Sequence, residues 1–368
     1  MSKKDKKTAN PNEEIKLDIP ADEIWTYHIE GLQAPSVGKP VKNAAAKKIG
    51  TVILLLIAIG LSIYFSVRAV HSDTYKFEEY NGGWELIKFS NPGEQTEITV
   101  DFVDGDKSKP IKAIHEYAFN CDEKLLTVNI GKDVEAIDGK SIYSVWNLRN
   151  IHVDKDNKYF CDIDGVLYNK DKTEVICYPI DHDAYLREKA GYEEEIPKDD
   201  EKRADEYKIY REKIQTYTIP ETVKKIGKLA FNYANLAVIN LPEGLETVET
   251  MAFFKSWDLA EINTYGKNGS YRSLPEGIRY IGSDAFSYCQ GMNYLYIPAS
   301  VTYIGHHAFW DTVYKQDGEL RGVSAINVAL SKDEFKDKVD TGDQWAPKYD
   351  FNLFKKTVDI NYGAVREK

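Results

Sequence analysis

One phrase recurs along this chain: Ile or Val, two residues, Ile, then Gly or a polar residue, and after a short interval Ala-Phe. Its copies begin at Ile111, Val223, Leu245, Ile278 and Val301 and end in Ala118-Phe119, Ala230-Phe231, Ala252-Phe253, Ala285-Phe286 and Ala308-Phe309. A degenerate copy runs from Val134 through Ile137 to Ser141-Ile142. Phe231 to Phe253 is 22 residues and Phe286 to Phe309 is 23, while Phe253 to Phe286 is 33 because a loop around Thr264 to Ser273 is inserted. A unit of that length has too little apolar surface to close a core alone, so successive units must stack and share one.

Each copy continues into a Leu-x-x-Ile-x-Ile phrase: Leu125 to Ile130, Leu148 to Val153, Leu236 to Leu241 and Met292 to Ile297. Alternation at period two reads as a strand whose first, fourth and sixth residues point inward. Pro242 and Pro298 then turn the chain, and the next Val-x-x-Ile supplies a second short strand. A period of this size is that of a leucine-rich-repeat solenoid. The expected fold is therefore mainly β, a leucine-rich-repeat solenoid of about six short coils with capping units, preceded by one transmembrane helix. The expected divisions are 1–48, a mostly disordered tail; 49–70, the transmembrane helix; 71–110, linker and N-terminal cap; and 111–180, repeats with a β-hairpin. They continue with 181–215, a charged helical insert; 216–329, further repeats, with the period left after Phe309 and a last strand at Ala325 to Val328; and 330–368, a C-terminal cap.

Residues 49 to 67 form one uncharged apolar run, the length that crosses a bilayer as a helix. Lys39, Lys42, Lys47 and Lys48 precede it with no acid among them, whereas Arg68 and Lys76 follow it mixed with Asp73, Glu78 and Glu79. That bias keeps the N-terminus in the cytoplasm and places the repeats outside the cell on a single span. With no other tether in view, an envelope-proximal role is expected rather than long-reach adhesion. Of the chain's 48 Lys and Arg and 59 Asp and Glu, residues 1–70 hold 10 and 7, so the rest carries 38 against 52, a charge of −14. Such a surface repels phosphate backbones and argues against nucleic acid.

The phrases Ile-Gly-x-x-Ala-Phe and Leu-x-x-Ile-x-Ile-Pro resemble the BspA-type leucine-rich repeat family of bacterial surface proteins, from roughly Lys112 to Ala329. Tyr159 to Pro179 resembles the hairpin these proteins insert between coils, and Gly82 to Val103 their N-terminal cap. Ser141-Ile142 in place of Ala-Phe, and the acidic stretch from Asp181 to Gln215, depart from the pattern and leave open whether the solenoid is continuous there. The resemblance implies an adhesin, receptor or envelope protein that binds a host protein, a neighbouring-cell protein or an envelope component, without catalysis.

No Gly-x-Ser-x-Gly, Walker loop, His-Glu-x-x-His or Gly-x-Gly-x-x-Gly is present, so no cofactor or catalytic residue is assigned. A hydrolase built on paired carboxylates remains a third class, and it predicts a cleft with two close Asp or Glu residues. Asp154-Lys-Asp156-Asn157 opens like a calcium loop but has Tyr159 where the glycine belongs and Gly165 where the last carboxylate belongs. His306-His307 reads as surface, and Asn268-Gly-Ser has only the form of a glycosylation sequon. Cys121, Cys161, Cys177 and Cys289 show no metal spacing; Cys161 and Cys177 fall in the hairpin, where a disulfide is one alternative.

Stacked strands give two outward columns, one bearing Asn129, Asn240, Asn263 and Asn327 interrupted by His152 and Tyr296. The column is either an amide ladder between coils or a polar binding strip. The best patch is the tyrosine cluster Tyr280, Tyr294, Tyr296 and Tyr303, with Asn240 and Asn263 beside it. In the tail, Trp25, Tyr27 and Ile29 form an apolar island that is either a docking motif for a cytoplasmic partner or a membrane-interface segment. The docking reading makes the chain a transmembrane sensor or assembly scaffold. Between Lys198 and Lys213 a charged helix is expected to pack lightly across the solenoid through Tyr207, Ile209, Tyr210 and Ile214, or to serve as a partner-binding arm.

Overall fold

The structure, a computed structural model, describes residues 75–366 apart from 92, 120–121, 199–200, 268, 317–318 and 352–353. The apolar run at 49–70 and the island of Trp25, Tyr27 and Ile29 lie outside the described residues, as do Cys121 and Asn268. Among the described residues no helix is long and apolar enough to cross a membrane.

Two sets of parallel ladders enclose two hydrophobic cores, one N-terminal and one C-terminal. The Leu-x-x-Ile-x-Ile phrases build one set: Glu97–Val100, Thr127–Ile130 and Asn150–Val153, then Thr216–Thr218, Val238–Pro242 and Glu261–Gly266, then Leu295–Ile297, Ala325–Val328 and Asp359–Tyr362. The Val-x-x-Ile phrases build the other, running from Glu174–Cys177 through Lys225–Ile226, Thr247–Val248, Tyr280–Ile281 and Tyr303–Ile304 to Asp340–Thr341. Inward residues of both sets, such as Ile239, Leu241, Val248 and Ile281, are fully buried in one cluster.

At the turn between the two sets each coil drives a Phe into the core. Phe231, Phe253, Phe286 and Phe309 stack with ring centroids 4.9, 5.0 and 5.4 Å apart and planes within 12° of parallel. Their backbones are tied as well: the N–H of Phe231, Phe253 and Phe286 each donates to the carbonyl of the next coil's Ala252, Ala285 or Ala308 at 2.7 Å. Satisfying a buried turn from the neighbouring coil is what allows so short a unit to have an interior.

On the short-strand side the C-terminal parallel ladder begins at the hairpin region, in a sheet separate from that of Gly83–Phe89 and Ile111–Ile114. Phe160–Ile163, Val166–Asn169 and Glu174–Cys177 form an antiparallel meander, and its last strand pairs in parallel with Lys225–Ile226. Tyr178 takes the position of the Phe plug, with its N–H donating to Ala230 O at 2.7 Å and its ring 5.1 Å from Phe231. Val166, Tyr168 and Val175 belong to the C-terminal core, whereas Leu167, Ile176 and Cys177 belong to the N-terminal one. The meander is thus a two-sided wall, as strand alternation permits. On the long-strand side the ladder stops at Asn150–Val153 and restarts at Thr216–Thr218, and the insert enters between them.

Several expectations change. The period does not end at Phe309: Asp340–Thr341 pairs with Tyr303–Ile304, and Phe309 N–H donates to Trp345 O at 3.1 Å, so residues 339–346 supply one more half-coil. Val-Asp-Thr-Gly-Asp-Gln-Trp-Ala hid it because Trp345-Ala346 stands where Ala-Phe is expected. In the degenerate coil a single helical turn, Gly139–Ile142, capped by the Asp138 side chain, replaces the Ala-Phe turn.

The insert holds two helices, His182–Ala190 and Ala204–Lys213, of which only the second was legible. Ile196, Tyr210 and Ile214 pack with Leu186, Tyr192 and Tyr207 into a small separate core. Ile209 does not join them and is 49% exposed, because two residues from Tyr207 is about 200° around a helix. Cys161 and Cys177 are free thiols on the two outer strands of the meander with Val166–Asn169 between them, so no disulfide joins them.

Candidate functional site

The turn that inserts each Phe has a costly backbone. Leu229, Met251, Asp284 and His307, each just before the Ala, have φ of 60°, 58°, 54° and 55°. Four residues later Tyr233, Lys255, Tyr288 and Asp311 have φ of 56°, 60°, 63° and 53°. Left-handed conformation in a non-glycine residue costs on the order of 1 kcal/mol, and here the neighbouring coil offsets it. Tyr233 N–H donates to Phe254 O at 2.9 Å, Lys255 N–H to Ser287 O at 2.9 Å and Tyr288 N–H to Trp310 O at 2.8 Å.

This fixed backbone carries an aromatic ridge along the turn edge. Tyr233 meets Trp146, Trp257 and Phe254 edge to face at 4.9, 5.3 and 6.4 Å, and Phe254 meets Tyr288 at 5.5 Å. The Lys255 ammonium lies 5.2 to 5.7 Å from the Tyr233, Phe254 and Tyr288 rings and donates to the Tyr233 hydroxyl at 3.0 Å. That hydroxyl pushes its pKa above the ordinary lysine value. Trp257 is 47% exposed. Its turn is held from beneath by buried Ser256, whose hydroxyl donates to Phe231 O at 2.7 Å. The signal was present in the sequence, where the first or second residue after the Ala-Phe pair is Tyr233, Phe254, Tyr288 or Trp310.

Where the ridge faces the insert, a groove of about 650 Å³ opens. Its floor includes Ala237, Ala260 and Gly291, Trp257 and Asp258 form one wall, and Tyr207, Arg211 and Gln215 form the other. Lys198 reaches Asp258 at 3.5 Å across it, and Arg211 pairs with Glu261 at 2.9 Å.

The four tyrosines of the sequence-derived patch divide between the two sets of ladders. Tyr280 and Tyr303 stack at 4.8 Å on the short-strand sheet, where they are half-buried. Tyr294 and Tyr296 lie at the long-strand side: Arg272 sits 5.6 Å over the Tyr294 ring, and Tyr296 is only 4% exposed. Charges on Glu276 and Arg366 act on Tyr296, although burial is the main cause that raises its pKa. Arg366 reaches back over Tyr271 at 3.8 Å and donates to Ser273 Oγ at 2.7 Å, so the C-terminal segment closes onto the inserted hairpin.

Asn240 and Asn263 form an amide ladder. Asn263 Nδ2 donates to Asn240 Oδ1 at 3.2 Å, Asn240 Nδ2 to Thr218 Oγ1 at 2.9 Å, and Asn361 Nδ2 to Asn327 Oδ1 at 3.1 Å. Asn157 in the calcium-like stretch is buried and donates to Gly131 O and Val134 O, a turn-locking role. Among the described residues no group of three His, Cys, Asp or Glu is placed to hold a metal ion.

Among solved structures, a leucine-rich repeat protein from Eubacterium ventriosum is 18% identical, with a TM-score of 0.42 over 67% of this chain and 66% of that one. This chain therefore spans slightly less than two thirds of that relative. The pneumococcal vaccine antigen PcpA is 17% identical with a TM-score of 0.35 over 73% and 67%. A leucine rich cell surface protein from Faecalibacterium prausnitzii is 16% identical with a TM-score of 0.34 over 72% and 96%. No curated protein matches the chain. Residues 97–163 and 202–316 match the BspA type leucine rich repeat region, in six copies. The chain is a member of the BspA-type leucine-rich repeat family.

Proposed function

We propose that this chain is a membrane-anchored, extracellular recognition protein that mediates protein–protein or cell-surface interaction. In this reading residues 1–48 are cytoplasmic, 49–70 form the single span, and the repeats stand outside with the turn edge as their main contact surface. The Tyr280 and Tyr303 pair and the Asn240 and Asn263 ladder contribute secondary surfaces. The observation that supports it is the ridge around Tyr233, Trp257 and Tyr288. Aromatic groups held on a fixed backbone give contact area at little entropic cost, and the core does not need them, because the Phe stack fills it.

The test is attachment of cells displaying the full chain to an epithelial monolayer. A Tyr233→Ser, Trp257→Ser, Tyr288→Ser triple variant, matched for surface amount, should attach at least about tenfold less, the loss expected when hot-spot aromatics are removed. Undiminished attachment with equal display would contradict the assignment of the turn edge.

A further inference from the structure

We infer that the groove between the turn edge and the insert is a binding site for a neutral oligosaccharide. The inference rests on the extracellular reading above and adds the chemistry of one ligand. Three observations select that chemistry.

The first is the platform. Trp257 is among the most exposed large apolar residues of the described chain, yet it is anchored by its contact with Tyr233 and by Gly291 N–H donating to its carbonyl at 2.7 Å. A rigid, half-open indole suits a flat array of C–H bonds, which is what one face of a pyranose ring presents.

The second is the floor. Ala237, Ala260 and Gly291 keep it shallow and open. A Cβ added at Gly291 would meet the backbone of Asp258 and Leu259 at 2.9 Å, so the glycine is part of the packing of the floor. The volume of about 650 Å³ lies within the range of small-ligand clefts.

The third is the polar lining. Gln215 and Gln290 line the groove with amides already held in place, Gln215 Oε1 accepting from the Tyr207 hydroxyl at 3.3 Å and Gln290 Nε2 donating to Asp311 Oδ2 at 3.2 Å, so that each has its other polar end to offer a sugar hydroxyl. The charged groups largely cancel. Lys198 lies against Asp258 and Arg211 against Glu261, so the groove has no excess sign to attract a charged ligand, and the net charge of −11 on the whole chain disfavours an acidic polymer. The Lys198 and Asp258 side chains are both mostly exposed and 3.5 Å apart, a loose pair that can exchange its bond for a sugar hydroxyl.

Full-length protein in a zwitterionic detergent without sugar groups is titrated calorimetrically with cellotetraose and with the N-acetylglucosamine tetramer, and separately with a heparin tetrasaccharide and a neutral octapeptide. The expected result is saturable binding of at least one neutral tetramer with Kd on the order of 0.1 mM. Trp257→Ala and Gln290→Ala should each weaken it tenfold or more, while Tyr159→Ala, at an exposed position next to the meander, leaves it unchanged. Binding of neither neutral tetramer, binding of heparin or peptide alone, or wild-type affinity in Trp257→Ala would overturn the proposal. Thermal melts of each variant confirm folding.

A second arm separates this inference from the broader reading. Binding of the purified chain to cells should fall after periodate oxidation of surface sugars. Binding that survives periodate but not protease overturns the oligosaccharide assignment and leaves recognition standing. Binding lost to neither treatment, or absent throughout, contradicts both.

Discussion

Coils approach one another closely where the repeat phrase carries glycine, as at Gly305. A Cβ there would lie 2.3 Å from Ser283 N, and the same residue type at Gly342 faces His306 N at 2.3 Å. Gly305→Ala should therefore destabilise the solenoid by about 1–3 kcal/mol through overpacking, read as a lowered midpoint in chemical unfolding; an unchanged midpoint would show that the coils are not in such close register. Asp183 is a different kind of constraint. It is 3% exposed, accepts from Asn235 at 3.0 Å, and is pushed up to about 6 by burial first and by the Asp181 charge second, with Arg187 opposing. Because its folded pKa lies above the unfolded value, ionisation opposes folding above pH 6 and the cost fades as pH falls toward 4. Neighbouring His182, whose burial lowers its pKa, acts in the opposite direction below pH 6.5. The two separate in a difference measurement. Asp183→Asn should be more stable than wild type by up to about 3 kcal/mol at pH 7.5 and by almost nothing at pH 4, and a pH-independent difference would refute the assignment.

The Phe stack is the element that makes short coils cooperative, since each ring is packed by the coils on either side. Phe286→Ala at the middle of the stack should cost about 3–5 kcal/mol, and a loss below 1 kcal/mol would mean the rings do not share one core. The insert behaves separately, with its own small cluster around Tyr210. Tyr210→Ala should make residues 190–215 the first site of limited proteolysis while the melting midpoint of the repeats barely moves, whereas Ile209→Ala should leave the cleavage pattern as it is.

These elements also mark where sequence reasoning reached and where it stopped. The Phe plugs and both short strands were legible because packing repeats them at 22 or 23 residues. The half-coil at 339–346 was not, because its backbone follows the repeat while its side chains do not. The tyrosine patch divided because the two strands of a coil belong to different sheets, a partition that spacing along one strand does not reveal. The ridge was missed for a related reason: Tyr233, Lys255 and Tyr288 project from left-handed turn positions, and neither strand nor helix periodicity marks those.

At the scale of the molecule, a stack of units that contact only their neighbours needs closed ends. At one end Phe89 joins the plug series, with its N–H donating to Ala118 O at 2.7 Å. At the other, helix Lys332–Lys338, capped by Ser331, and strand Asp359–Tyr362 continue past the last repeat, and Phe335 packs against Trp345 and Tyr362. The functional reading rests on where this stack is displayed, which depends on the apolar run at 49–70 and the lysines before it. The direct measurement is protease accessibility on intact cells carrying an epitope after Lys368, with a cytoplasmic control protein followed in parallel. The account predicts loss of the epitope while the control survives. Protection of the epitope until the membrane is opened, with the protein otherwise cleavable, would contradict it.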